Sequence, residues 1–129
     1  MIQLFKRKGR NPNTNEIVYY PQIVNNHPVD AVDIAKKMAR SSTYSAGETT
    51  GVLQDFFEYV YDELLVGNPV CIPGLGTFKP KASGESSPDA HDVTIRNIKL
   101  SVIYEPDPSL ESRLNTEAEF EFGEYKKLH

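Results

Sequence analysis

Tryptophan is absent from the 129 residues, and cysteine occurs once, as Cys71. A single thiol excludes an intramolecular disulfide framework and fits a reducing compartment. No apolar run approaches the ~20 residues that span a bilayer. The opening Met1-Ile2-Gln3-Leu4-Phe5-Lys6-Arg7-Lys8 lacks the long apolar stretch and small-residue cleavage site of a signal peptide. The expectation is a soluble cytoplasmic protein with no membrane partner. Metal-ligand spacing is missing as well: His27, His91 and His129 fall in a loop, a polar tip and the terminal position, and Cys71 stands alone. The carboxylate pairs Asp62-Glu63 and Asp30/Asp33 belong to helix surfaces. Gly74-Leu75-Gly76 does not continue as a phosphate-cradling glycine loop and leads into a strand. No catalytic constellation emerges, so the sequence reads as non-enzymatic, with no metal and no small-molecule cofactor.

The charge balance, 14 basic against 18 acidic residues for a net −4, argues against a generic basic nucleic-acid coat. The total hides segments of opposite character. Residues 1–20 carry Lys6, Arg7, Lys8 and Arg10 against Glu16 alone, and residues 79–104 carry Lys79, Lys81, Arg96 and Lys99 against Glu85, Asp89 and Asp92. The intervening and final stretches, 21–78 and 105–129, are each acidic by four charges.

The pattern predicts a mixed α+β chain. A weak alternation, turn residues from Gly9 to Asn15 and the β-rich Ile17-Val18-Tyr19-Tyr20 make a basic N-terminal hairpin. Asp30 caps a helix of about three turns with apolar residues at steps of three and four. Ser45-Ala46-Gly47-Glu48 is a capping box opening a second helix of about five turns. Its apolar residues, from Val52 through Phe56, Phe57, Val60 and Tyr61 to Leu65, form a stripe too broad for one short helix to cover, which suits either a core or a second subunit. Gly67-Asn68-Pro69 ends it. Val70–Ile72, a turn, and Thr77–Lys81 read as strand, turn, strand. Residues 82–92 have no periodicity and form a mobile tip; residues 93–104 read as one long strand. Asp107-Pro108 caps a short helix over 109–114, and Phe120, Phe122 and Tyr125, alternating among glutamates, suit an edge strand.

The segment Val70-Cys71-Ile72-Pro73-Gly74-Leu75-Gly76-Thr77-Phe78, at this spacing behind two helices, resembles the strand and Gly-Phe-Gly-Thr-Phe turn of the bacterial histone-like DNA-binding proteins, HU and integration host factor. The resemblance covers about residues 29–115. Together with the added N-terminal hairpin and the acidic tail, the layout looks like the divergent HU-related branch of the Bacteroides group. It implies an HU-like α+β fold: two N-terminal helices, an antiparallel sheet with an extended β-arm at 79–104, a short C-terminal helix, an extra hairpin at 1–28 and a tail at 116–129. It further implies an intertwined homodimer whose arms embrace the minor groove of double-stranded DNA, with a proline wedge at each tip. The sequence departs from that family in its arm. Four basic groups and a Ser87-Pro88-Asp89-Ala90 tip stand where the family has many arginines and Arg-Asn-Pro, while a family-like Gly9-Arg10-Asn11-Pro12-Asn13-Thr14 lies ahead of the helices.

The resulting expectation is a nucleoid-associated, non-enzymatic DNA-binding homodimer that reads backbone and shape. Lys79, Lys81, Arg96 and Lys99 on the arm and Lys6, Arg7, Lys8 and Arg10 on the hairpin supply the cations, and Pro88 is the candidate wedge. The alternative is an HU-fold protein-interaction or scaffolding module with weak or no DNA affinity, favoured by the acidic net charge.

Overall fold

In the computed structural model, residues 1–123 are described; Tyr125, His129 and the rest of the tail beyond Gly123 lie outside the described residues. The chain divides into two compact units. One, the helical unit, is Val29–Glu111; the other, the terminal unit, joins Met1–Pro28 with Ser112–His129.

In the helical unit, α1 (Ala31–Arg40) opens on a capping box in which Asp30 accepts from the Asp33 amide and the Asp33 carboxylate accepts from the Asp30 amide. Helix α2 (Ala46–Leu65) opens the same way through Ser45 and Glu48. The two helices meet along small residues: Ala35 is fully buried, and Thr49, 6% exposed, returns its hydroxyl to the Ser45 carbonyl at 2.9 Å. That seam leaves the bulky residues of both helices uncovered. Ile34 and Met38 of α1 and Val52, Phe56, Phe57 and Tyr61 of α2 are all exposed.

Strands β3 (Val70–Ile72), β4 (Gly76–Ser83) and β5 (Lys99–Pro106) form an antiparallel sheet in that order. Gly76 opens β4 with φ +145°, and a Cβ there would run into the Glu105 carbonyl and the Tyr104 ring, so the close β4–β5 approach requires glycine. Tyr104 closes the turn by donating its hydroxyl to the Leu75 carbonyl at 2.7 Å.

The long strand expected over residues 93–104 begins only at Lys99; Ile95–Asn97 forms a 3₁₀ turn. The β-branched residues Val93, Thr94 and Ile95 favour a strand locally, but a strand needs a partner. The ladder ends at the pair Ser83↔Lys99, beyond which the Gly, Ser and Pro of residues 84–89 offer none. The expected tip of 82–92 is likewise trimmed: β4 runs through Ser83, and Ala90–Asp92 is a 3₁₀ turn capped by the Asp89 carboxylate on the His91 amide.

Helix α3 (Pro108–Glu117) starts where Asp107 accepts from the Ser109 amide and hydroxyl. It runs three residues past the expected Leu114, because no glycine or proline follows until Gly123. The sheet of the terminal unit has the order β2-β1-β6. Strands β1 (Ile2–Arg10) and β2 (Ile17–Ile23) make an antiparallel hairpin, and β6 (Phe120–Phe122) lies parallel to β1 on its other side. The hairpin turn places Asn15 at φ 59°, a conformation asparagine tolerates.

Candidate nucleic-acid interface

Side chains alternate across a strand, so the register sorts the β4–β5 ladder into two faces. Phe78↔Tyr104, Pro80↔Val102 and Ala82↔Leu100 give an apolar face, with the Phe78 and Tyr104 rings 5.0 Å apart. Lys79↔Ile103, Lys81↔Ser101 and Ser83↔Lys99 give a polar face carrying three of the four arm cations. They are not equivalent. Lys79 is ion-paired with Glu105 at 3.0 Å, a partner placed by the register Thr77↔Glu105, whereas Lys81 and Lys99 stand further out on exposed positions. Arg96 belongs to the 3₁₀ turn before β5 and lines, with Lys99 and Glu85, an open cavity of about 620 Å³. Pro88 sits in an exposed bend followed by Asp89, and Ser87 donates to Asp92 at 3.3 Å. Carboxylates therefore flank the candidate wedge.

The hairpin cations divide as well. Lys6, Lys8 and Arg10 project from one face of β1, opposite Pro21, Tyr19 and Ile17. Arg7 projects from the other, opposite Tyr20, where it donates to Gln22 Oε1 at 2.9 Å and its guanidinium carbon lies 6.0 Å from the Tyr20 ring centroid. Gly9 makes room for that ring, since a Cβ there would come within 2.9 Å of Tyr20 Cε1. The Lys6 ammonium lies 5.4 Å from the Phe122 ring centroid, and Arg10 donates to the Asn15 carbonyl at 3.1 Å. So Lys6, Lys8 and Arg10 make a row on one face of the strand, and Arg7 stands on the other. Sequence reasoning overlooked Tyr19 and Glu105. A strict two-residue period through Ile17–Ile23 puts Tyr19 on one face of β2 with Ile17, but its pairing with Lys8 needed the register, and nothing local announced the Lys79–Glu105 pair.

The other feature of the helical unit is the exposed apolar surface of α2. Leu53, Phe56, Phe57 and Val60 with Leu75 and Phe78 line an open concavity of about 430 Å³ whose walls are almost wholly apolar. At its rim, the turn after β3 is fixed by Asp107, which accepts from the Gly74 amide at 3.3 Å. The Ser109 backbone amide, then the Ser109 hydroxyl, then Gly74 hold the Asp107 carboxyl below its ordinary value of 3.8. Among the described residues no group of three or more His, Cys, Asp or Glu is arranged to hold a metal ion, and no helix is long and apolar enough to cross a membrane.

No curated protein sequence matches the chain. Its fold is similar to the crystal structure of a protein from Bacteroides vulgatus ATCC 8482 assigned as a bacterial DNA-binding protein, with a TM-score of 0.67 at 12% identity over 95% of this chain and 47% of that one. At that identity the likeness is one of fold, and this chain spans about half the length of that protein. A family model describing an HU domain fused to wHTH, Ig or glycine-rich motif matches residues 2–121, and on that match the chain belongs to the HU-HIG family.

Proposed function

We propose that the protein is a non-enzymatic, homodimeric DNA-binding protein of the nucleoid that holds double-stranded DNA by its backbone and by the shape of its minor groove. The observation that carries this reading is the polar face of the β4–β5 ladder, with Lys79 and Lys81 one two-residue step apart on β4 and Lys99 opposite Ser83 on β5, in a chain of the HU-HIG family. Cations in such a row neutralise phosphates and carry no base code of their own. No helix with base-reading side chains is needed. Arg96 extends the row at the arm, the hairpin cations Lys6, Arg7, Lys8 and Arg10 add a second positive surface, and Pro88 is the wedge. In this division residues 1–28 are an extension, 29–115 the HU-like domain with its arm at 79–104, and 116–129 an acidic tail.

Dimerisation is supported by the apolar residues that α2 leaves uncovered: Val52, Phe57, Tyr61 and Leu65 are each more than half exposed, a surface that marks a site of protein association. The uncovered stripe of α2 is the surface to hide, and a second copy of the same stripe is self-complementary in the way a two-fold interface demands.

Fluorescence anisotropy with linear, nicked and bent duplexes at low salt tests the reading, because electrostatic contacts are least screened there. Binding to duplexes of any sequence that weakens when Lys79, Lys81, Arg96 and Lys99 become glutamine supports it; no binding to any duplex overturns it. The second reading, a protein-interaction module of HU fold, is favoured by one feature, the carboxylates Glu105, Asp89 and Asp92 standing among the arm cations and wedge. It takes over if duplex binding is absent.

A further inference from the structure

We infer that the sheet of the terminal unit binds unpaired nucleotides of single-stranded DNA through the face that carries Lys6, Lys8, Arg10 and Tyr19. This rests on the proposed DNA-binding function and names a second form of DNA that the protein would engage. The register puts Lys6, Lys8, Arg10 and Tyr19 on one face, together with Ile17 and Phe122. It puts Glu121, bonded to Gln3, on the opposite face with Arg7. Among the described strand residues, this face therefore carries three cations and no carboxylate.

Two-residue steps along a strand are about 7 Å, comparable with the spacing of successive phosphates in a stretched single strand. Lys6 is held in place over the Phe122 ring at 5.4 Å, which fixes one end of the row. Beside the middle cation, Tyr19 is 65% exposed, in register with Lys8. An exposed ring between backbone-neutralising cations is the arrangement that captures a base by stacking. In a duplex each base is already stacked on its neighbours, so the ring discriminates in favour of unpaired bases while the cations do not. The face commits to a nucleic-acid strand rather than to an apolar peptide because its upper half is cationic and acid-free.

The test uses the full chain, a labelled 12-residue oligo-dT strand and a duplex of equal length. Oligo-dT binding is expected to fall about fivefold or more in Tyr19→Ala and to be retained in Tyr19→Trp, with duplex binding within about twofold of the parent in both. Because the chain has no tryptophan, the indole of Tyr19→Trp is a clean reporter, quenched by oligo-dT and not by duplex. Tyr19 is largely exposed, so its truncation leaves folding intact, as circular dichroism would verify. Oligo-dT that fails to bind the unmodified protein while duplex binds overturns this inference alone. Equal oligo-dT affinity for Tyr19→Ala and parent also overturns it. Loss of duplex binding with oligo-dT binding intact would instead sink the duplex reading and leave this one standing.

Discussion

Replacing Phe57 by alanine should dissolve the proposed dimer, and the size of the effect follows from its surroundings. Phe57 lies mid-helix in α2, is 56% exposed in the single chain and lines the apolar concavity together with Phe56. Taking about 200 Å² for a phenylalanine side chain, the exposed part is about 110 Å². Burying it against a second copy would contribute about 3 kcal/mol per chain at ~25 cal/mol per Å². A two-fold interface uses the residue twice, so the variant loses about 6 kcal/mol, a weakening of the dimer by about four orders of magnitude. Sedimentation equilibrium across a hundredfold range of concentration should show the parent at twice the chain mass of 14.5 kDa and the variant shifting towards that mass on dilution. Phe57→Asp should be more severe, since it would bury an unpaired charge. A parent that stays at 14.5 kDa at every concentration while retaining its helical signal refutes the argument from the uncovered α2 residues, as does a variant that dimerises as tightly as the parent.

Removing the four arm cations in both chains should lower the slope of log affinity against log salt by about 7 if all contact phosphates, and by about 5 if Lys79 stays with Glu105; titrations between 50 and 200 mM salt, roughly the range in which such slopes are read, distinguish the two. Gly76→Ala should destabilise the fold by about 3 kcal/mol or more, because the added Cβ meets backbone of β5 and the φ is one that alanine avoids; urea denaturation measures it, and a neutral result would contradict the close β4–β5 approach. Asp107 has its folded-state pKa depressed, so its contribution is present above the unfolded value near 3.8 and is lost as pH falls through the lower folded value. Acid unfolding below that value should therefore be less steep in Asp107→Asn, whose stability near neutral pH should already be lower. Limited proteolysis should cut first within residues 84–98, outside the β4–β5 ladder; initial cleavage inside α2 would contradict the assignment of elements.

Local chemistry made the helix starts readable. Asp30 and Ser45 satisfy orphan amides within three residues of themselves, and Asp107-Pro108 announces α3 with a cap and a preset φ. Features that depend on distant partners were not readable in the same way. Val93–Ile95 has strand composition but loses its partner where β4 stops at Ser83. The sorting of Lys6–Arg10 into three cations and one followed from strand period alone, yet which aromatic each would meet required the register with β2 and β6. The Lys79–Glu105 pair joins residues 26 apart, a distance over which sequence pattern carries no signal.

The parallel pairing of Ile2↔Phe120 and Leu4↔Phe122 sets an order of events during folding. The hairpin of β1 and β2 can close as soon as it is made, but β6 must be brought back to β1 across the whole intervening chain. Loop-closure entropy grows with the length of free chain, and folding the helical unit shortens that free length sharply. Attachment of β6 is therefore coupled to the integrity of Val29–Glu111. Perturbations in α2 or β4 should raise amide exchange at Phe120–Phe122 before they raise it in the hairpin, making the third strand of the terminal sheet a gauge of whether the helical unit has folded.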